Sequence, residues 1–185
     1  MLSDEQIIKQ CIRKNRKAQQ ALYDRYGKIL LGVCYRYADC MEEAEDLLQE
    51  GLIKVYLNIG KYTGAGSFIS WLKAIMINTA ITHYHRTKKF RFHLDIDDVK
   101  ESEVEGTVTE MTEYTREELL GVIRSLPVGY RMVFNMYAIE GYKHKEIAEM
   151  LGIDVNTSKS QYSRAKRLIR QKLEQLSGVR KTKDE

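Results

Sequence analysis

Tyr142-Lys-His-Lys-Glu-Ile-Ala-Glu-Met-Leu151, followed by Gly152-Ile-Asp-Val-Asn-Thr-Ser-Lys-Ser-Gln-Tyr-Ser-Arg-Ala-Lys-Arg-Leu-Ile-Arg-Gln-Lys-Leu173, decides the fold. In the first half Ile147, Ala148 and Leu151 recur at helical spacing, while Lys145, Glu146 and Glu149 face water. Gly152 stands where a helix leaves through a left-handed residue, and Asp154 can cap a second helix two positions later. That second helix buries Tyr162, Ala165, Leu168, Ile169 and Leu173 and turns Lys159, Ser160, Ser163, Arg164, Lys166, Arg167 and Arg170 outward. Two short helices joined by a tight turn make a helix-turn-helix. Small polar donors near its second start, with arginines beyond, suit a helix whose end enters a major groove and whose flanks meet phosphates.

An ordinary two-helix corner with a solvated charged face would share the pattern. Charge separates the two readings: residues 142–173 hold eight Lys or Arg against three Asp or Glu, with the cations on the helix expected to be exposed. The whole chain is only +4, yet residues 93–113 hold eight acids against Lys100. Two basic segments therefore flank an acidic strip.

The classes excluded are several. Met1-Leu-Ser-Asp-Glu lacks a basic run followed by an apolar one, and no apolar segment reaches membrane-spanning length, so cytoplasmic residence without membrane insertion is expected. Cys11, Cys34 and Cys40 are odd in number and unpaired in spacing, which fits reduced thiols, with Cys34 on an apolar face. Zinc ligation by these with His83, His85, His93 or His144 lacks a Cys-x-x-Cys or a matched His pair, so no metal or other cofactor is expected. A DNA-processing enzyme would need a nucleophile with its base or acids from separate segments, whereas Glu42 to Glu50 lie on one helix without His beside them.

One Pro, scattered Gly and no strand-like alternation predict an all-α protein of two small helical domains joined by a flexible acidic linker. The boundaries fall at 1–91, 92–112 and 113–185. In the first domain Leu22, Tyr26, Ile29, Leu30, Val33, Cys34 and Tyr37 form one apolar stripe. A helix from about Met41 to Ile59 buries Ala44, Leu48, Leu52, Val55 and Ile59 and exposes Glu42, Glu45, Asp46, Gln49, Glu50 and Lys54. The loop Gly60-Lys-Tyr-Thr-Gly-Ala-Gly66 precedes a Ser67-capped helix from Phe68 to about Thr87, packing through Phe68, Leu72, Ile75, Met76 and Thr79. Its end, Tyr84-His-Arg-Thr-Lys-Lys-Phe-Arg91, fits a surface that pairs phosphates and stacks bases, or equally a helix terminus where cations favour the dipole. After the strip, helix returns at Glu113 and breaks at Pro127, and a new helix from Ser125 or Leu126 runs through Val133, Phe134 and Tyr137. Residues 178–185 are expected to fray.

With these segments in place, nearly the whole chain resembles the small two-domain extracytoplasmic-function sigma subunits of bacterial RNA polymerase. Three strings carry the likeness: Glu43-Ala-Glu-Asp-Leu-Leu-Gln-Glu-Gly-Leu-Ile-Lys-Val-Tyr56, Phe68-Ile-Ser-Trp-Leu-Lys-Ala-Ile-Met-Ile-Asn-Thr-Ala-Ile81 with His83, Tyr84 and Arg86, and the elements Leu126-Pro127, Tyr130-Arg131, Glu140-Gly141, Glu146-Ile-Ala and Leu151-Gly-Ile ending in Thr157-Ser-Lys-Ser-Gln-Tyr-Ser-Arg-Ala165. The resemblance implies a non-enzymatic subunit that binds core RNA polymerase and directs promoter-specific initiation, with an anti-sigma partner linked to the membrane. It implies core contact through Asp46, Gln49 and Glu50. For the −10 element it implies base capture by the loop Lys61 to Ser67, with Lys61, Tyr62 and Asn78 as contacts and Arg86 and Lys89 on the backbone. Trp71 is read as core rather than as a base-stacking residue. For the −35 element it implies Thr157, Lys159, Ser160, Ser163, Arg164 and Arg167. The acidic linker is either a strap along the polymerase's nucleic-acid path or a plain solvated tether.

Two positions depart from the family pattern. Lys143 stands where the family commonly has a capping Ser, so Glu146 lacks a reciprocal partner. Gly51 interrupts the acidic helix, at a cost of about 1 kcal/mol against Ala. A conventional repressor or activator would use the same helix-turn-helix but explains the C-terminal half only.

Overall fold

A computed structural model describes residues 2–91 and 114–181, with side chains for 2–87 and 114–177, and every described element is helical. The linker expected at 92–112 lies outside the described residues. Ser3 opens α1 (Asp4–Ile12), accepting from the Gln6 amide at 3.2 Å while Gln6 Oε1 accepts from the Ser3 amide at 2.9 Å. Lys14, at φ 57°, turns the chain, and Asn15 Oδ1 caps α2 (Arg16–Tyr37) through the amides of Lys17 and Ala18. This break between α1 and α2 was not foreseen, because neither Gly nor Pro marks it.

Helix α3 (Met41–Asn58) ends in a 3-10 turn, and α4 (Phe68–Arg91) starts where Ser67 Oγ accepts from the Ser70 amide at 3.3 Å. Leu22, Leu30, Val55, Leu72 and Met76 are fully enclosed where α2, α3 and α4 meet. The expected stripe of α3 is buried, and so is that of α4 except for the half-buried Ile75, but Ile29 is 50% exposed, on an edge of α2 left uncovered. Lys54, expected in solvent, is half-buried and donates to Thr79 Oγ1 at 3.1 Å.

The second half begins with α5 (Arg116–Arg124), capped by Thr115 and Glu118 in reciprocal hydrogen bonds. Pro127 precedes α6 (Val128–Phe134), so this helix starts two or three residues later than predicted, with proline at its cap. The predicted continuation through Tyr137 widens into a π-turn (Asn135–Ile139), closed by the Glu140 amide on Asn135 O at 3.0 Å. Then α7 (His144–Leu151) leads through Gly152 into α8 (Val155–Lys181). The latter stays helical through Lys181, three residues past Gly178, where fraying was expected. Met132, Met136, Ile147, Leu151 and Ala165 are buried between α6, α7 and α8, and the two halves touch where α5 meets α2 and α7 meets α4.

Candidate polymerase and nucleic-acid interfaces

The α7 face and the turn are as the sequence predicts, whereas of the expected α8 stripe Ala165 is buried and Tyr162, Leu168, Ile169 and Leu173 are half-buried. Gly152 has φ 62° and ψ 44°, the left-handed exit that a β-carbon disfavours, and Ile147, Ala148 and Leu151 are buried. Glu146 Oε2 accepts from the Lys143 amide at 2.7 Å, and Lys143 has no side-chain acceptor to return. That half-box satisfies one amide only.

Across the turn, Ser158 is fully buried and hydrogen-bonded to His144 Nδ1 at 2.9 Å. His144 stacks on Tyr137 with centroids 4.2 Å apart and planes 14° apart, and Tyr162 closes the cluster 4.5 Å from Tyr137. Burial first, and Lys159 second, push the His144 imidazole below its ordinary value. This network fixes the roll of α8 on α7. Ser158 could have been found from its spacing, four residues before Tyr162 and seven before Ala165 on the buried stripe.

With that roll, Lys159, Ser160, Ser163 and Arg164 are exposed, and Thr157 and Arg167 are half-exposed. Ser160 Oγ donates to Thr157 O at 3.0 Å. Arg164 Nη1 donates to Tyr130 OH at 3.4 Å, which holds the guanidinium towards α6. Lys166 lies 4.9 Å above the Tyr162 ring.

On α3, Asp46 and Gln49 are exposed on one outward face. Glu50 is half-buried, pairing with Lys54 at 2.8 Å and with Arg86 of α4 at 3.5 Å. The hydrogen bond from Lys54, with its charge and that of Arg86, holds the Glu50 carboxyl below its usual range. Two residues assigned to different tasks, Glu50 and Arg86, are therefore direct neighbours. Ile53 and Leu57, 59% and 77% exposed, continue the Asp46–Gln49 face and were missed. Their signal was apolar residues lying outside the buried stripe.

The loop before α4 is a short exposed arc, with Gly64 and Gly66 at φ 80° and 88°. Tyr62 does not project freely from it. Its ring packs 5.2 Å from Phe68 and 5.6 Å from Trp71, and its hydroxyl donates to Gly66 O at 2.8 Å. Trp71, expected in the core, is half-buried at its edge, stacking on Phe68 at 5.9 Å. Lys61, Asn78 and Arg86 are exposed, the last two on α4 eight residues apart. The Lys89 side chain lies outside the described residues.

Among the described residues no His, Cys, Asp and Glu side chains gather as a metal-sized cluster, and no helix is long and apolar enough to cross a membrane. Cys34 is buried, and desolvation raises its thiol to about 12. The architecture is that of two helical units, one carrying a helix-turn-helix, with polar and cationic faces turned outward.

Comparison with known proteins gives this architecture its family. Residues 22–90 match the family described as Sigma-70 region 2, and residues 116–177 match Sigma-70, region 4. The ECF RNA polymerase sigma-E factor of Haemophilus influenzae is 26% identical over 186 residues, covering 95% of this chain and 97% of that one. The RNA polymerase sigma-H factor of Pseudomonas aeruginosa is 27% identical over 183 residues, covering 94% and 95%. Among solved structures, the sigma factor RpoE of Bartonella quintana, in complex with the anti-sigma factor NepR, shares the fold at a TM-score of 0.52 and 18% identity, over 84% of this chain and 96% of that one. The chain belongs to the extracytoplasmic-function group of RNA polymerase sigma factors, and it directs promoter-specific transcription initiation.

Proposed function

We propose that the chain docks on core RNA polymerase through α3 and reads two promoter elements, the −10 through α4 and its preceding loop and the −35 through α8. The observation that carries this reading is the outward row Lys159, Ser160, Ser163 and Arg164 on a helix locked to its neighbour by His144 and Ser158. A helix fixed against its neighbour and an arginine hydrogen-bonded to Tyr130 favour base reading over loose charge attraction. Asp46 and Gln49 are the direct polymerase contacts, where a carboxylate meets an arginine of the partner. Glu50 sits behind them, fixing α3 to α4 through Lys54 and Arg86.

At the −10 element the exposed arc of residues 63–67 receives an extruded base, and Tyr62 braces that arc from beneath. Extruding one base costs about a few kcal/mol, which its contacts with this arc offset, so strand separation needs no ATP. Asn78 supports the separated strand, with Arg86 and Lys89 on its backbone. The working units are residues 1–91 and 113–185, tethered by 92–112. The protein acts in the cytoplasm by binding alone, without a catalytic group of its own, and an anti-sigma factor holds it inactive. Run-off transcription with purified core polymerase tests this: promoter-dependent transcripts support it, and DNA binding without transcripts favours a conventional repressor.

A further inference from the structure

We propose that Glu50 of α3 competes with promoter phosphates for Arg86 of α4, and so limits how much sequence-independent affinity Arg86 gives to the −10 contact. This inference rests on the reading above that places Arg86 on the backbone of the separated strand.

The two oxygens of the Glu50 carboxylate are divided between two cations. Oε1 pairs with Lys54 at 2.8 Å, and Oε2 faces Arg86 Nη1 at 3.5 Å. Lys54 lies one turn along the same helix, and its ammonium also donates to the buried Thr79 Oγ1 at 3.1 Å. Its hydrogen bond is the largest influence holding the Glu50 carboxyl below the usual range, ahead of the charge of Arg86. Arg86 makes the longer contact, and its side chain is 63% exposed against 36% for Lys54. An ion pair of that length and exposure adds little to stability. Lys54 is therefore the standing partner of Glu50, and Arg86 the exchangeable one.

The packing of α3 on α4 has ties that do not involve Arg86. Glu43 Oε1 pairs with His83 Nε2 at 2.7 Å, Gly51 leaves room for the Met76 side chain, and Lys54 reaches Thr79. Arg86 can leave Glu50 with all three in place. Glu50 keeps the charge of Lys54 beside it, so the exchange leaves no carboxylate without a counter-charge.

Arg86 also stands on the face that a strand would follow. Asn78, Thr82 and Arg86 are exposed at four-residue steps along one outward side of α4. A guanidinium offers a phosphate two parallel hydrogen bonds, a better geometry than a single carboxylate oxygen at 3.5 Å. The exchange is favourable, yet each phosphate that takes Arg86 must displace a carboxylate of its own sign. That cost falls on every sequence alike, whereas contacts of the 63–67 loop with an extruded base escape it. Phosphate contacts position the protein without carrying sequence information, so weakening one of them raises the share of binding that the bases decide. Glu50 is thus a specificity-determining residue that need not touch DNA.

The test is titration of the full chain into a fluorescently labelled single-stranded oligonucleotide of mixed sequence, read by anisotropy over a series of salt concentrations. Glu50→Gln, which keeps the shape and an acceptor for Lys54, should raise the affinity about two- to fivefold and steepen the plot of log K against log salt by up to about 0.7, the increment of one phosphate contact on a single strand. Lys54→Met should act in the opposite direction, lowering the affinity about two- to fivefold, because Glu50 then turns wholly to Arg86. In an Arg86→Ala background both effects should shrink to the change that loss of an exposed charge gives elsewhere on α3, measured with Glu45→Gln. These opposed signs, and their dependence on Arg86, are not what a merely structural role for Glu50 would give. A gain from Glu50→Gln that persists undiminished without Arg86, or that only equals the gain from Glu45→Gln, overturns the competition. Loss of affinity on Arg86→Ala alone, with no response to Glu50→Gln, overturns the competition and spares the −10 role of Arg86. No loss on Arg86→Ala overturns that role, and the competition with it.

Discussion

Gly51 of α3 lies against the thioether of Met76 on α4, so close that a β-carbon at position 51 would overlap Sδ and Cε. Met76 is fully buried and cannot swing into solvent. A residue that reads as a defect in the acidic helix is thus a point where α3 leaves room for the Met76 side chain of α4. The same two helices carry Glu50 and Arg86, so their spacing also sets that pair.

Gly51→Ala should therefore destabilise the N-terminal half despite the better helix former. Overpacking costs about 1 to 3 kcal/mol and the propensity gain returns about 1 kcal/mol, so a net loss of roughly 1 kcal/mol is expected. Urea unfolding of the variant measures it, and increased stability would show that Met76 repacks freely.

Much of this architecture is legible in the residues. The spacing of Ile147, Ala148 and Leu151 with Gly152 behind them fixes the helix-turn-helix, and Ala44, Leu48, Leu52, Val55 and Ile59 fix the inner face of α3. What is not legible depends on contacts between distant positions. Nothing near Glu50 announces Arg86, thirty-six residues away, and nothing near Arg131 announces Asp39. Tyr62 is expected as a base contact, and its packing on Phe68 and Trp71 of the following helix is not announced by the glycines around it. The α1 break was hidden because a lysine took the left-handed turn that glycine usually marks.

Asp46→Ala should weaken core polymerase binding by about 1.5 to 3 kcal/mol, the range for a hydrogen bond to a charged group. Asp46 is exposed, so the fold should be unaffected. Titration of labelled polymerase measures the loss. An unchanged Kd would remove Asp46 from the interface.

Arg164→Ala should cost about 1 to 3 kcal/mol on the preferred −35 sequence and relax discrimination at one base pair. A phosphate contact would instead weaken every sequence alike. Tyr130→Phe, which removes the hydroxyl 3.4 Å from Arg164, should blunt the same discrimination to a smaller degree. Binding to a panel of −35 variants separates these outcomes.

His144 adds a pH dependence with a definite sign. Its folded imidazole titrates below 6.5, chiefly through burial, so the unfolded chain takes up more protons as pH falls through that value. Stability contributed by the C-terminal half is therefore greatest above this window and declines as pH drops into it. His144→Gln should flatten that decline in a series of thermal unfolding curves. Equal slopes for both proteins would remove His144 as the cause.

The central claim, that outward faces on α3, α4 and α8 act together on one promoter, is tested most directly by run-off transcription with purified core polymerase on templates bearing both elements, either one, or neither. The expected result is a discrete transcript that needs the chain and both elements, and that falls with Asp46→Ala and with Arg164→Ala. Retention of the DNA with no transcript from any template, or equal transcription from templates lacking the −35 element, would contradict it.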